Sequence, residues 1–284
     1  DEIVAPSTLY GGTVTLFKYT FKDLKGNVIT SNRNLKNKFT EGVIRDNRQE
    51  SIIKKVFNSS EKMFSDIVSS RNPFGLNTDL FNVPEKYKNI VISTSKSKNT
   101  EVKVYGFSNS KRIEGFINSS GVVKNKDSLN KYKVFFSKAY STDATIPPEA
   151  IEAYPGSAST DTFLKIGDFD SEEKMLNCSK YIETNFFRAL LFFNRHSLSV
   201  SKGTFSLIPL QDFSKPWTDE ELYKKYKLTQ EEIDYIEETI APMPTSDDWG
   251  CSSEFTYWRM VMVAEGIKKT TLTHLYMIIL KRSS

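Results

Sequence analysis

Residues 171–194, SEEKMLNCSKYIETNFFRALLFFN, set Met175, Cys178, Ile182, Phe186, Leu190 and Phe193 at steps of three and four. That spacing aligns one apolar stripe along a helix, and it predicts a single helix over the whole stretch, the longest in the chain. Just upstream, TFLKIGDF (162–169) reads as a strand. A strand feeding a long amphipathic helix points to an α+β fold, and the flanking sequence extends that reading in both directions.

Between residues 89 and 136 come four short β-rich runs, NIVIST, EVKVYGF, KRIEGFI and YKVFF, separated by clusters of Asn, Ser, Gly and Lys that read as turns. From residue 86 to 138, twelve Lys and Arg face three acids, a surplus of nine positive charges in a chain whose net charge is only +4. These cations therefore fall largely on sheet edges and loops, where a polyanion could reach them. Further upstream, Ile52, Ile53, Val56 and Phe57 recur at helical spacing, and Phe64, Ile67 and Val68 repeat the pattern. Two short helices are expected there. Residues 10–21, YGGTVTLFKYTF, alternate Val14 and Leu16 with polar neighbours and predict a strand.

Downstream, Thr218–Asp–Glu–Glu221 and Thr229–Gln–Glu–Glu232 both match the capping box, in which a Thr hydroxyl and the later Glu satisfy orphan backbone donors at a helix start. Two helices follow, the second stopped by Pro242, and residues 217–240 carry eight acids against three lysines. The run from 255 to 280 is apolar, but Arg259, Glu265, Lys268 and Lys269 interrupt it. The charge-free run left is far short of the ~20 residues a membrane span needs. The expected organisation is the edge of a preceding domain over 1–45, a main domain over 46–243 and a tail of uncertain origin over 244–284. The chain begins with Asp and enters a strand almost at once, so it reads as a piece of something longer. Two cysteines, Cys178 and Cys251, and two histidines, His196 and His274, share no metal-ligand spacing. With no leader segment, this fits a reducing cytoplasm.

The loop SSRNPFG (69–75) raises the question of chemistry. Asn72–Pro73–Phe74 is one proline short of the Asn-Pro-Pro-aromatic loop with which amino-methyltransferases hold the amine they methylate. The one Pro-Pro pair, Pro147–Pro148, is flanked by Ile146 and Glu149, which supply neither the amide nor the ring. No glycine-rich strand-to-helix turn suits a nucleotide-like cofactor. Methyl transfer by these residues alone is not expected. An alternative is a magnesium-dependent nuclease using Asp79 and Glu101–Val102–Lys103, the acid and acid-x-lysine pattern that can hold a metal beside a phosphate. Another is a protein-interaction module presenting the phenylalanine-rich helix 181–193. The reading that uses most of the charge is binding: Ser70, Arg71, Asn72, Lys111, Arg112, Lys138 and Lys202 lie among Ser, Asn and Gly, and such side chains reach phosphates and base edges.

The order of segments SDIVSSRNPFG (65–75), KYKVFFSKAY (131–140), YIETNFFRALLFF (181–193), SKGTFSLIPLQDFSKPWTDEELYKKYKLT (201–229) and EEIDYIEETIAPM (231–243) resembles the C-terminal part of type II adenine-N6 DNA methyltransferases of restriction–modification systems. SVSKGTFSLIPLQDF (199–213) is also similar to the end of target-recognition domains in type I specificity subunits, and LYGGTVTLFKYTF (9–21) looks like the closing strand of the family's catalytic domain. The resemblance implies that residues 1–45 are the C-terminal edge of a methyltransferase catalytic domain and that 46–243 are an α+β target-recognition domain with a strongly curved mixed or antiparallel sheet flanked by helices. It implies double-stranded DNA as partner, beside a catalytic domain of the same polypeptide that binds S-adenosylmethionine outside this chain and flips the adenine. The family transfers no base-contacting residue; with DNA as partner, the expected roles are Arg71 and Asn72, with Ser70, at a base edge or nearby phosphate and Lys111, Arg112, Lys138 and Lys202 on phosphates, with no catalytic or cofactor-binding residue here.

Overall fold

The computed structural model describes residues 17–22, 28–33, 44, 47–108, 111–140, 144–195 and 197–243. The chain divides into two compact units, Asn34–Pro242 and Asp1–Arg33 with Met243–Ser284. In the second of these, β1 (Phe17–Lys22) and β2 (Val28–Arg33) form an antiparallel hairpin, Phe17 opposite Arg33 and Lys22 opposite Val28. The strand expected over 10–21 is thus present from Phe17; its earlier residues lie outside the described ones. The polar segment of β2, VITSNR, offers too little alternation to have been predicted.

The larger unit is mixed α+β and holds the five α-helices of the described residues. Here α1 (Asn47–Asn58) is followed by a single 3-10 turn, Phe64–Ile67, where a second short helix was expected. Then come β3 (Ile92–Ser93), β4 (Val102–Ser108), β5 (Lys111–Ile117), β6 (Tyr132–Ser137), β7 (Ile151–Ala153), β8 (Ser157–Ser159) and β9 (Phe163–Phe169). The helices α2 (Glu172–Glu183), α3 (Asn185–Asn194), α4 (Asp219–Lys225) and α5 (Gln230–Thr239) complete the unit.

In place of the one curved sheet expected, these strands form two. One has the order β3-β5-β4-β8, with β4 and β8 parallel and the rest antiparallel; the other, β7-β6-β9, is antiparallel throughout. The reason is visible in β6, whose successive residues Val134, Phe135 and Phe136 are all fully buried. A strand apolar on both sides must be covered on both faces. Val134, Phe136, Leu164 and Ile166 face a core shared with the helices, while Phe135, Phe163, Ile151 and Ala153 join Val104, Ile117, Phe74 and Leu80 in a second core against the other sheet. The three-stranded sheet is therefore a middle layer.

Phe64 anchors the helical core. Its amide donates to the Ile208 carbonyl at 2.7 Å, and its ring centroid lies 4.9 Å from Phe187, 5.8 Å from Phe205 and 6.0 Å from Tyr181. The helix predicted over 171–194 is broken at Thr184. There φ −61° and ψ 147° leave the helical region, and the hydroxyl donates to the Tyr181 carbonyl at 2.8 Å while accepting from the Phe187 amide at 3.1 Å. Asp219, the first residue of α4, accepts from the Asn185 and Phe186 amides at 3.0 and 2.8 Å. Both capping boxes form as expected, on α4 and α5. Phe186, Phe187, Leu190, Leu191 and Phe193 are all buried in the core, so the phenylalanine-rich helix offers no free apolar face for docking.

Candidate nucleic-acid interface

Strand register brings the candidate residues to one end of the two layers. β6 exits there at Ser137, opposite the first residue of β9, Phe163. β7 enters there, with Ile151 opposite Phe135. Because β8 runs parallel to β4, with Ser159 beside Tyr105, the exit of β4 and the entry of β5 at Lys111 share that end. A ring contact between Phe107 and Phe163, centroids 5.4 Å apart, joins the two sheets here.

The loop 69–75 is held against the same end. Val68 bridges to Ile166, the Ser69 amide donates to the Lys165 carbonyl at 2.8 Å, and the Lys165 amide donates back to Ser69 Oγ at 2.9 Å. The chain thus runs antiparallel along β9 toward its start and delivers Ser70, Arg71 and Asn72 beside Asp161. Asn72 adopts φ 51°, a left-handed conformation that Asn tolerates better than most residues. Its amide donates to Asp161 Oδ1 at 2.5 Å. Gly75, at φ 79°, completes the turn, and a β-carbon there would collide with Val123 Cγ2.

Each candidate can now be placed. Ser70 is exposed. Arg71 is exposed, and its Nη2 donates to Ser199 Oγ at 3.2 Å. Ser199 itself bridges to Ala139, and the Val200 amide donates to the Lys138 carbonyl at 2.7 Å, so the 198–200 segment is tied to the β6 exit. Lys202 follows three residues later, exposed at the start of a 3-10 turn. Lys111 is exposed at the entry of β5. Arg112 donates through Nη2 to the Glu149 carbonyl at 2.7 Å, with the Glu149 carboxylate 4.0 Å from Nη1. Lys138 differs: its ammonium lies 2.6 Å from Asp161 Oδ1 and its side chain is only 11% exposed. Asn72 also differs from expectation, since its side-chain Oδ1 is buried with no hydrogen-bond partner, while its Nδ2 reaches Asn77 Oδ1 at 3.4 Å. These two side chains face the loop's own support more than solvent.

Phe74 points away from this surface. It is fully buried, edge-on to Phe135 at 5.9 Å, and Asn125 Nδ2 donates to the Pro73 carbonyl at 2.6 Å. Neither group is offered to an extruded base, so the loop turns a corner and displays its first residues. Reading the sequence missed Asp161 and Ser199. Asp161 lies in the polar run STDT, outside the lysine-rich section, and nothing in its neighbours pairs it with Lys138 or with a loop 89 residues earlier.

The nuclease residues are each engaged elsewhere. Asp79 accepts from Tyr87 and Lys86, and the Tyr87 hydrogen bond chiefly holds its carboxyl below the usual range. Glu101 accepts from the Ser119 amide at 3.1 Å, and Ser119 holds its carboxyl low as well. Lys103 pairs with Glu114 at 2.7 Å. Among the described residues, no three His, Cys, Asp or Glu are grouped to hold a metal ion. Cys178 is buried, and burial pushes its thiol well above the ordinary value; Cys251, His196 and His274 lie outside the described residues. The positive-φ glycines, Gly75, Gly156 and Gly167, sit in a loop, the β7–β8 turn and β9. The one strand-to-helix turn from a long strand among the described residues, Asp170–Ser171, has no glycine. No helix among the described residues is long and apolar enough to cross a membrane.

A comparison with known protein families finds no match to this sequence, and a search of the curated proteins finds no significant relative.

Proposed function

We propose that this chain is the DNA-reading part of a restriction–modification enzyme that methylates adenine N6. The observation that carries the reading is the convergence of Arg71, Lys111 and Arg112 on one end of two stacked sheets, with Lys202 on the segment that follows Ser199. The order of sequence segments shared with such methyltransferases supports it. Ser70, Arg71, Lys111, Arg112 and Lys202 meet phosphates or base edges of double-stranded DNA, while Asn72 and Lys138 shape the loop from behind. The surplus of nine positive charges over residues 86–138 draws in the duplex and makes binding salt-dependent. S-adenosylmethionine binds to a catalytic domain of the same polypeptide, outside this chain, and that domain flips the target adenine out of the stack. The setting is cytoplasmic, where DNA is met.

The test is a titration of a fluorescein-labelled random-sequence duplex with the 284-residue chain at low salt, followed by anisotropy. Binding that weakens linearly on a log–log plot as KCl rises is the expected result. No binding at about 50 mM salt, where electrostatic affinity is strong, would overturn the reading.

A further inference from the structure

The Asp161 carboxylate lies among the cations brought to this end, where the Glu149 carboxylate also stands 4.0 Å from Arg112. Asp161 Oδ1 accepts from both the Asn72 amide, at 2.5 Å, and the Lys138 ammonium, at 2.6 Å. Its own amide donates to the Leu76 carbonyl at 2.8 Å, and its neighbours are fixed in turn, Thr160 N to the Tyr105 carbonyl at 2.9 Å and Lys138 N to the Thr162 carbonyl at 3.0 Å. One side chain thus joins the loop 69–75, the β6 exit and the β9 entry. Asp161 is 26% exposed and Lys138 11%, so the pair is largely shielded from solvent and its attraction is weakly screened. A half-buried carboxylate of this kind does two things at once: it holds Asn72 in its left-handed turn, and it takes one cation out of reach of a phosphate.

We propose that Asp161 is a specificity-determining positioning residue, which fixes the Arg71–Asn72 loop and withholds the Lys138 charge from the DNA backbone. This rests on the DNA-binding reading above. Phosphate contacts are blind to sequence and add affinity everywhere. An acid that neutralises one such cation lowers binding to every duplex alike, so the effect of Asp161 on preference comes from holding the Arg71–Asn72 loop in place for base contacts.

The consequence is unusual in direction. Asp161→Asn keeps an oxygen for the Asn72 amide but removes the charge, which frees Lys138 to reach a phosphate. Against a random-sequence duplex, the log–log salt slope should steepen by about 0.9, one phosphate's worth. Because a neutral amide holds the Arg71–Asn72 loop less firmly than the carboxylate, the preference for a duplex enriched by the wild-type chain from a randomised library should fall roughly tenfold, the weight of one base contact. The double variant Asp161→Asn/Lys138→Met should return the slope to the wild-type value. A carboxylate that served only stability would instead weaken binding to all duplexes in both variants, with no steepening, and that result overturns the proposal. A second measurement uses the wild-type chain alone: acetylation of lysines, mapped by mass spectrometry with and without the random-sequence duplex. Lys138 should react slowly and at the same rate in both, while Lys111 and Lys202 are protected by DNA. DNA-dependent protection of Lys138 would show that it already meets a phosphate and would overturn the proposal. If the wild-type chain binds no duplex at all, the functional reading fails first, an outcome distinct from either of these.

Discussion

Lys133 lies at full burial on β6, and its ammonium has one identified acceptor, the Lys131 carbonyl at 2.9 Å. Burial, opposed by the charge of Asp168 and reinforced by that of Lys165, pushes it down to about 8 from the ordinary lysine value. The unfolded chain therefore holds more protons than the folded one between about pH 8 and the usual 10.5, and stability rises with pH across that window. Below it the charged lysine costs about 3 kcal/mol, from the size of the shift. Lys133→Met should be more stable than the wild type at pH 7, by urea midpoint, and the gap should close as pH rises from 8 to 10.5. A gap that stays constant with pH would show that the ammonium is not what the site resists. Lys133 is also a lesson in what residues disclose by themselves. Its place in KYKVFF made it look like one more surface cation, because period-two alternation cannot tell a sheet covered on both faces from one exposed on one. Phe74 is the opposite case: beside Asn72 and Pro73 nothing in the sequence tells whether its ring is displayed or buried, and its contact with Phe135 shows it to be core.

Among the elements, the break inside residues 171–194 separates what periodicity can predict from what it cannot. The steps of three and four held through both α2 and α3, since the two helices bury the same kind of stripe, and periodicity registers no interruption when a single residue leaves the helix. The signal at Thr184 was local: a Thr followed by Asn, able to end one helix and cap the next. The Asp219 carboxylate that completes the cap comes from a distant segment and is pushed up by burial even though two amides donate to it. Thr184→Ala should lose about 1 kcal/mol, the usual worth of an N-cap, read as a shift in urea midpoint at constant slope. No loss would mean that Asp219 alone caps α3. The capping boxes at Thr218 and Thr229 were fully legible because both partners lie within four residues. β7 and β8, three residues each, were not, because their strand character comes from pairing with β6 and β4 and hardly from their own side chains.

For the molecule as a whole, the α+β class could be read from the strand runs and helical stripes, whereas the division into two sheets could not, since it depends on which strands meet. The two cores follow from that division. Phe64→Ala should cost about 3–5 kcal/mol, as expected for emptying a fully buried aromatic site, and should lower the melting temperature. A small effect would contradict its placement among Phe187, Phe205 and Tyr181. The charge counts along the chain could not say which cations meet: strand register brings Lys111, Arg112 and Lys138 to one end but leaves Lys131 at the other end of β6, beside Asp170, and Asp161 pairs with Lys138. The most direct test of this arrangement is hydrogen exchange of the whole chain with and without a duplex at low salt. Exchange should slow in residues 69–72, 111–113 and 198–203, with α4 and α5 unchanged. Protection confined to the acidic segment 217–240, or absent everywhere, would contradict it.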